Sequence, residues 1–441
     1  MHSEIDRNFI PLSRELASFR ARAAAEGAER LTMCVTGAQC GVVRYGLDVF
    51  REGHAEENLR IAERMLKSLL WTVGGGEVLL SGPAGLTRKL AEIYSPTSAR
   101  AFDADIMKSV YGNFSVQVCG ERELPAPRRT EWKAGGNLSG FRIGLDAGAT
   151  NLKVCAVAEG KQVFAESVPW KPRSHSDPKY HFERIGALLA RAAEFLPRLD
   201  AIGVSTAGIT VGDRVMTSSL FTAITDPEKR LRAQNLFLDL GKKLGAPVRV
   251  ANDGDVAALA GREGCAGGTL GISMGSSEAG GYVGADGCLN GWISEFAFVP
   301  VDLSPSGGVD EWSGDVGCGV NYLSQDGVAR LGRLAGMELP GETHERFKEI
   351  RERFAAGDPT SREIFRTLGV YLGWELALYA EFYSFERVLL LGGVTVGECG
   401  DLICRTAEAV LKKEFPHLAG VKLKMPEGGR GTAQSFAAAR L

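Results

Sequence analysis

The chain has 441 residues, a formal net charge of −3 and a hydrophobic content of 44%, which together indicate a globular protein of about two or three domains. Because charges of both signs are interspersed, we expect no nucleic-acid partner, and because no apolar run is long enough to span a bilayer, we expect no membrane partner. The nine cysteines are scattered and form no CxxC pair, which favours free thiols in a reducing cytoplasm over a disulfide framework.

Residues 1–137 are predicted to form an N-terminal α/β region. The spacing of apolar residues predicts a long helix over 55–73, and a strand, turn and helix over 74–94. Another strand is expected at 114–121, before a segment rich in proline, glycine and charge that predicts a linker over 125–137. No motif in this region indicates its role.

Residues 142–157 predict a β-hairpin, because two apolar runs flank a short polar turn with glycine. In such a turn, small residues let backbone N–H groups approach phosphate oxygens, and a carboxylate can face Mg²⁺ or its water shell. The turn and its flanks supply five side chains or backbone positions of this kind: Asp146, Gly148, Thr150, Asn151 and Lys153. The hairpin therefore predicts a site for a magnesium-bound polyphosphate, and a turn without function is the alternative.

The rest of the chain alternates strands with helices. The predicted elements, in order, are a strand at 161–170, a helix at 178–196, a strand that runs into a loop at 200–213, a helix at 235–245, a strand and helix at 247–264, a strand pair at 268–291, helices within 342–383 interrupted at 357–359, a strand that enters a glycine turn at 388–397 and a last helix at 431–441. Hairpins followed by βα crossovers predict an α/β protein with two similar lobes.

Four stretches occur in a fixed order: GLDAGATNLK (144–153), VANDGDVAALAG (250–261), LGISMGSSEAGGYV with a later glutamate (270–295), and LLLGGV (389–394). Their order and spacing resemble the ROK family of bacterial glucokinases, N-acyl-hexosamine kinases and sugar-responsive repressors, within the actin/hexokinase/Hsp70 superfamily. The resemblance covers about residues 140–441. It implies a two-lobed actin-like ATPase (ribonuclease H-like) fold with mixed sheets flanked by helices, to which the N-terminal region is an addition.

The resemblance also implies the domain limits and the cofactors. The first lobe would comprise residues 138–262 and the second lobe 263–428, and a C-terminal helix at 429–441 would return to the first lobe. The cofactors would be ATP and Mg²⁺. The hairpin would be the first phosphate loop, with Asp146 on the magnesium side.

The second phosphate loop has the family form GTGxGGG, and it falls on Gly275, Ser276 and Ser277. Two of the family's glycines are replaced here, by Ser277 and Ala279, which narrows the approach of the backbone to phosphate. Gly392 and Gly393 match the glycines that lie beneath the adenosine.

Asp253 matches the family's catalytic aspartate, which would take the proton of a sugar hydroxyl as general base. Asn252 would hold a neighbouring hydroxyl, and Thr206 and Glu295 would also bind the sugar. The alternative for Asn–Asp–Gly is a plain turn that caps the following helix. Asp255 is expected to be an acid in the first helical turn, where the helix dipole favours it.

The family's zinc-binding pattern is missing from this sequence. The family histidine falls on Phe298, and the cysteine segment falls on residues 311–318, where Cys318 alone remains. One thiol cannot supply a tetrahedral site, so we expect no structural zinc. We expect apolar packing at Phe298 to order that loop instead.

These residues together predict ATP-dependent phosphorylation of a sugar hydroxyl, on a hexose or an amino sugar, in a cleft between the lobes. The alternative is a catalytically weak or inactive sugar or nucleotide sensor or scaffold, which the altered second loop, the missing zinc pattern and the unfamiliar N-terminal region favour. A homodimer is compatible with either function. The sequence does not indicate which sugar or which hydroxyl.

Overall fold

The computed structural model describes residues 3–95, 97–130, 135–137, 139–262, 264–425 and 433–441. The chain divides into two compact units. The first comprises Met1–Thr130, Ile272–Gly280 and Trp292–Met425, and the second comprises Glu131–Gly271, Gly281–Gly291 and Pro426–Leu441. The predicted domain limits, at residues 138, 263 and 428–429, lie outside the described residues, as does part of the predicted linker at 131–134.

The first unit begins with a four-stranded sheet and four helices. In chain order these are α1 (Leu12–Glu26), β1 (Ala28–Gly37), β2 (Gly41–Phe50), α2 (Ala55–Val73), β3 (Glu77–Ser81), α3 (Ala84–Ile93), α4 (Ala101–Tyr111) and β4 (Ser115–Val118). The strand order is β2-β1-β3-β4, with β1 antiparallel to both neighbours and β3 parallel to β4. The sheet is therefore mixed, and the predicted α/β character of this region is confirmed.

Helix α2 covers the stretch that the apolar spacing predicts. Two glutamates in its first turn suit the positive end of the helix dipole, and Gly74 ends the helix at a φ of +70°. The helix is buried over almost its whole length, and even Lys67 is 0% exposed. A buried lysine is not what an amphipathic stripe predicts.

The second unit is built on a five-stranded sheet in the order β11-β8-β5-β6-β7. Strands β5, β6 and β7 form an antiparallel meander, and β8 and β11 extend it in parallel with β5. The elements are β5 (Phe141–Ala147), β6 (Asn151–Ala158), β7 (Lys161–Pro169), α5 (Pro178–Ala193), β8 (Ala201–Thr206), β9 (Ile209–Val211), β10 (Arg214–Thr217), α6 (Pro227–Gln234), α7 (Leu236–Leu244), β11 (Val248–Asn252) and α8 (Asp253–Gly261). The predicted hairpin and the predicted third strand are confirmed.

A second four-stranded sheet, in the order β13-β12-β14-β15, follows in the chain. Its strands and the helices between them are β12 (Thr269–Met274), β13 (Glu278–Val283), α9 (Gln325–Leu334), α10 (Thr343–Ala355), α11 (Pro359–Tyr379), β14 (Arg387–Leu391), α12 (Glu398–Glu414) and β15 (Lys422–Lys424). The predicted interruption at 357–359 separates α10 from α11, because Pro359 opens α11 and the Asp358 carboxylate accepts a hydrogen bond from the Ser361 N–H at 2.7 Å.

The last helix, α13 (Ala433–Ala438), packs on the five-stranded sheet of the second unit. It approaches this sheet at two glycines. A Cβ on Gly144 would collide with the Ser435 carbonyl oxygen, and a Cβ on Gly203 would collide with that of Ala438. The absence of side chains at these positions therefore lets the helix backbone lie against the strands.

We expect Gly203→Ala to lower the free energy of unfolding by about 1–3 kcal/mol, because the added methyl group would force α13 away from β8. Denaturant unfolding would measure the change. Gly85→Ala is the matched control, since an added Cβ there meets nothing within 4 Å and α3 favours alanine. Equal stability of Gly203→Ala and the wild type would contradict the close packing.

Candidate active site

The turn of the first hairpin is held by a tryptophan that the sequence analysis did not single out. The Trp170 indole N–H donates to the Gly148 carbonyl at 2.7 Å, and the Trp170 backbone N–H donates to the Thr150 carbonyl at 3.1 Å. Within the turn, the Gly148 N–H donates to the Asn151 carbonyl at 3.1 Å. Thr150 is exposed, and its hydroxyl accepts a hydrogen bond from the Asn151 side-chain amide at 3.1 Å.

Asp146 and Lys153 form an ion pair beside this turn. Their register across β5 and β6 places them opposite one another, and the Lys153 Nζ lies 3.1 Å from the Asp146 Oδ2. The Ser205 hydroxyl on β8 donates to the other carboxylate oxygen at 3.3 Å. Burial raises the pKa of Asp146, while Lys153 and Ser205 oppose that rise. Both carboxylate oxygens thus have partners in the protein.

Three parallel strands end at the same level in this unit. Ala147 at the end of β5 pairs with Thr206 at the end of β8, which in turn pairs with Asn252 at the end of β11. Asp253 follows directly and begins α8. The structure therefore brings together at one sheet edge the predicted residues Asp146, Gly148, Thr150, Asn151, Lys153, Thr206, Asn252 and Asp253, where α/β sheets commonly bind ligands.

Asp253 has an environment suited to proton transfer. Asp253 keeps some exposure to solvent as a residue, but the surrounding protein removes water from its carboxyl. This loss of hydration, followed by the nearby negative charge of Asp146, raises the pKa of the carboxyl to about 7. A carboxylate with such a pKa accepts a proton near neutral pH far more readily than an ordinary aspartate does.

Asn252 performs the capping role that the alternative interpretation assigns to it. Its side-chain oxygen accepts a hydrogen bond from the Gly254 N–H at 2.7 Å, and its amide group donates to the Gly208 carbonyl at 2.8 Å. These bonds hold the start of α8 and the loop after β8 in place. Binding of a sugar hydroxyl by Asn252 stays a prediction.

Gln434 on α13 is a residue of this site that the sequence analysis missed. Its side-chain amide donates to the Asp253 carbonyl oxygen at 2.7 Å and to the Ser205 hydroxyl at 3.1 Å. Through Ser205 it is connected to Asp146. It lies far from these residues in the sequence and in no recognisable motif, so composition and spacing carry no signal for it.

Asp255 lies in the first turn of α8, as predicted, but burial affects it in a way that this position does not predict. It is buried, and its carboxylate accepts a hydrogen bond from the Tyr282 N–H at 3.1 Å. Burial, with a smaller effect of Asp253, raises its pKa to about 7. The loss of hydration therefore outweighs the attraction of the helix terminus for a negative charge.

The first unit contains the other predicted nucleotide-binding residues. Gly275, Ser276 and Ser277 form the turn between β12 and β13, in which the Gly275 N–H donates to the Ser277 carbonyl at 3.0 Å. The Gln325 N–H donates to the Gly275 carbonyl at 2.9 Å and so joins the turn to the start of α9. Both serines are exposed.

Gly392 and Gly393 lie next to this turn. Gly392 has a φ of +94°, and a Cβ there would collide with the backbone of Met274, so only glycine fits. Gly393 is close to the side chain of Gln325 at the start of α9. The structure thus brings the second loop and the glycine pair together within one unit.

Glu295 lies in a segment that contacts α2. Its N–H donates to the Trp71 carbonyl at 2.9 Å, and the Phe298 ring stacks on the Trp71 ring with centroids 4.2 Å apart. Apolar packing of Phe298 was expected from the sequence, but its partner in the N-terminal region was not. Glu295 is partly exposed.

The side chains near the predicted sites can be compared with what zinc and magnesium require as ligands. Among the described residues, no group of three or more His, Cys, Asp or Glu side chains is arranged to hold a metal ion. Asp146 supplies a carboxylate, which is a hard oxygen ligand. Both of its oxygens already have protein partners, so it is suited to hold a magnesium ion through water, beside phosphate oxygens.

In the described part of the chain, no helix has both the length and the apolar character needed to cross a membrane.

Two buried glutamates lie behind the second loop. Glu278 directly follows Ser277, and its Oε1 accepts a hydrogen bond from the Tyr379 hydroxyl at 2.9 Å. Its other oxygen and both oxygens of Glu375 have no hydrogen-bond partner among the described residues. Burial raises the pKa of Glu278, and burial together with the charge of Glu278 raises the pKa of Glu375. Burial therefore favours the protonated, neutral form of both carboxyls.

We expect Glu278 and Glu375 to make the protein less stable as the pH rises from about 5 to about 8, because the folded state holds their protons more tightly, with the pKa of Glu278 raised to about 8, while the unfolded state releases them near the ordinary glutamate pKa of about 4.3. Glu375→Gln would make the melting temperature less dependent on pH over that range. Thermal melts across the pH series would measure this, with the exposed Glu56→Gln as the control. Parallel pH dependence in Glu375→Gln and the control would contradict the expectation.

Comparison with known proteins shows which solved structures share this fold. No protein-family model and no curated protein matches the sequence. The structure is similar to that of a ROK family glucokinase from Streptomyces griseus in complex with glucose and AMPPNP, with a TM-score of 0.52 and 22% identity over 68% of this chain and 98% of that chain. It is also similar to the ROK hexokinase from Thermus thermophilus, with a TM-score of 0.52 and 22% identity over 68% and 97% of the two chains.

The structure of a transcriptional regulator is similar to this chain to the same degree. A ROK family transcriptional regulator, a homologue of the E. coli MLC protein, has a TM-score of 0.53 and 20% identity over 69% of this chain and 78% of that chain. At these identities the similarity establishes the fold. The chain therefore has the predicted actin-like ATPase fold, in the form that ROK-family structures share.

Proposed function

We propose that this protein transfers the γ-phosphate of ATP to a hydroxyl group of a hexose or an amino sugar, with Asp253 as the general base. The observation that carries the proposal is the carboxyl of Asp253, held at the ends of three parallel strands with a pKa of about 7. The similarity to a glucokinase in complex with glucose and AMPPNP supports the choice of substrates.

In the proposed reaction the Asp253 carboxylate takes the proton of the sugar hydroxyl. The sugar oxygen then forms a bond to the γ-phosphorus, and the bond between this phosphorus and the β–γ bridging oxygen breaks, which releases ADP. Asn252 and Gln434 keep Asp253 in place by holding the first turn of α8. Thr206 and Glu295 would bind other hydroxyls of the sugar.

The phosphates would be bound by both loops. Gly148, Thr150 and Asn151 would contact them from the first hairpin, with Lys153 supplying positive charge, and the exposed Ser276 and Ser277 would donate hydrogen bonds from the second loop. Mg²⁺ bound together with ATP supplies further neutralisation of phosphate charge, and Asp146 would hold it through water. Gly392 and Gly393 would lie against the adenosine. A cytoplasmic location and a homodimer stay predictions.

A sensor or scaffold without turnover is the second candidate. Ser277 and Ala279 replace two glycines of the family's second loop, and a transcriptional regulator is among the similar structures. Side chains at these positions restrict how closely a backbone can approach phosphate. A sensor would bind a sugar or a nucleotide but would transfer little or no phosphate, and a sensor of sugar alone would not bind ATP.

We expect Asp253→Asn to lower kcat for ATP-dependent sugar phosphorylation by about 10²–10⁴-fold, because the amide cannot accept the hydroxyl proton. A coupled assay for ADP with a panel of hexoses and amino sugars would measure it, and calorimetry would show unchanged ATP binding. Asp239→Asn, on the surface of α7, is the matched control. Absence of turnover with every sugar, or full turnover in Asp253→Asn, would refute the kinase proposal; sugar binding without ATP binding would favour the sensor.

We also expect kcat/KM to rise with pH and to reach half its maximum near pH 7, because only the deprotonated Asp253 can act as base. Asp146→Asn should shift this midpoint to lower pH, since removing the neighbouring negative charge makes ionisation of Asp253 easier. Initial rates measured from about pH 5.5 to about pH 8.5 would test both statements. A profile that is flat over this range would contradict the assigned base.

A further inference from the structure

The last turn of α2 is hydrogen-bonded to the segment that contains Glu295. The carbonyl groups in the last turn of a helix have no partners within the helix. In α2 the last three carbonyl groups accept hydrogen bonds from a segment that runs antiparallel to the end of the helix. The N–H groups of Glu295, Ser294 and Ile293 donate to the carbonyls of Trp71, Thr72 and Val73 at 2.9, 3.0 and 3.2 Å. Gly74 ends the helix directly after them.

Side chains make further contacts between residues 293–295 and the end of α2. Ser294 has a φ of +48°, an unusual conformation for a residue with a side chain, and its hydroxyl lies 3.0 Å from that of Tyr383. The Tyr383 hydroxyl in turn donates to the Thr72 carbonyl at 3.2 Å. The Phe298 ring, in the same segment, stacks on the Trp71 ring of α2. The strained backbone of Ser294 is thus held by contacts to α2 and to Tyr383.

The middle of α2 holds a second loop of the same unit. The Lys67 ammonium group is 0% exposed and lies 2.6 Å from the Asp315 carboxylate and 3.5 Å from that of Asp103. Arg64 and Arg100 contact Asp315 as well, at 2.9 and 3.0 Å. Although burial opposes it, Arg64 and Lys67 hold the pKa of Asp315 below its usual range.

This buried network is electrically balanced. Three cations, Arg64, Lys67 and Arg100, face three acidic side chains, and the third of these, Glu63, pairs with both arginines at 2.6 Å. A buried ion network is stable only when its charges are paired and hydrogen-bonded, so the loss of one member leaves an uncompensated charge.

The two loops held by α2 are also joined to each other. The Gly319 N–H donates to the Val299 carbonyl at 2.9 Å, and the Val301 N–H donates to the Gly317 carbonyl at 2.7 Å. A displacement of the Asp315 loop would therefore be transmitted along these backbone bonds to residues 299–301, directly after the segment with Glu295 and Phe298.

We propose that α2 of the N-terminal region is the positioning element of the sugar site, with Lys67 as a positioning residue that fixes the Asp315 loop and, through α2 and that loop, the orientation of Glu295. This inference rests on the proposed function for the role of Glu295 in sugar binding. It gives the N-terminal region a role in the activity, although none of its residues is assigned to the chemistry.

The test compares Lys67→Met with the double variant Lys67→Met/Asp103→Asn in the full chain. The single variant leaves one buried negative charge unpaired, whereas the double variant makes the network neutral again. Lys348→Met, which removes an exposed lysine of the same unit, is the matched control. Hydrogen exchange at residues 293–295 and the KM values for sugar and for ATP are measured on each protein.

We expect Lys67→Met to speed exchange at residues 293–295 and to raise the sugar KM, each by about tenfold or more, with the KM for ATP unchanged. The double variant restores the charge balance but not the contact between Lys67 and Asp315, so it should recover only part of both changes, and Lys348→Met should show neither. Unchanged exchange at 293–295, unchanged sugar KM in a folded Lys67→Met protein, or a rise of both KM values together would overturn the proposal.

A second variant and a measurement that needs no substrate complete the test. If Lys67→Met does not fold, Phe298→Leu weakens the contact with Trp71 without leaving a buried charge, and the same exchange and KM changes are expected from it. Because exchange needs no substrate, a protein that phosphorylates no sugar would refute the proposed function while the exchange data still report whether Lys67 positions the segment. Turnover with unaltered exchange would refute the positioning role alone.

Discussion

The in-register ends of three parallel strands are the constraint on which the candidate site depends. Ala147, Thr206 and Asn252 lie at one level, so the residue that follows each strand enters the same small region. That arrangement brings the carboxyl of Asp253 close enough to Asp146 for one negative charge to oppose the other. A shift of one strand by one residue would turn these side chains to the other face of the sheet.

The acids of this protein share a physical pattern. Asp146, Asp253, Asp255 and Glu278 are all placed where burial opposes ionisation, but the compensation differs. Asp146 has a lysine and a serine beside it, whereas among the described residues no cation counters the rise in the pKa of Asp253. Such differences between neighbouring acids are how one site can contain both a charged group and a group that exchanges a proton near neutral pH.

The N-terminal region is an integral part of its unit. Residues 10 and 12 pair with the backbone of residues 301–303, Arg20 forms a bidentate ion pair with Glu381, and α2 supports two loops of the same unit. A buried ion network costs desolvation, and an apolar core of similar volume can be equally stable. What the network adds is geometric definition, because each of its charges has a fixed partner.

The sequence by itself determined the alternation of strands and helices that is typical of an α/β protein, the long helix over 55–73, the first hairpin and the ordered motifs that resemble the ROK family. These features are local, since they depend on the periodicity of apolar residues and on turn residues close in the chain. Only the tertiary structure decided that Trp170 and Gln434 hold the site, that Asp255 is a buried acid, and that Lys67 is fully buried against Asp315. These contacts join residues far apart in the sequence, and burial changes the pKa of a carboxyl by removing water, which no local pattern of residues records.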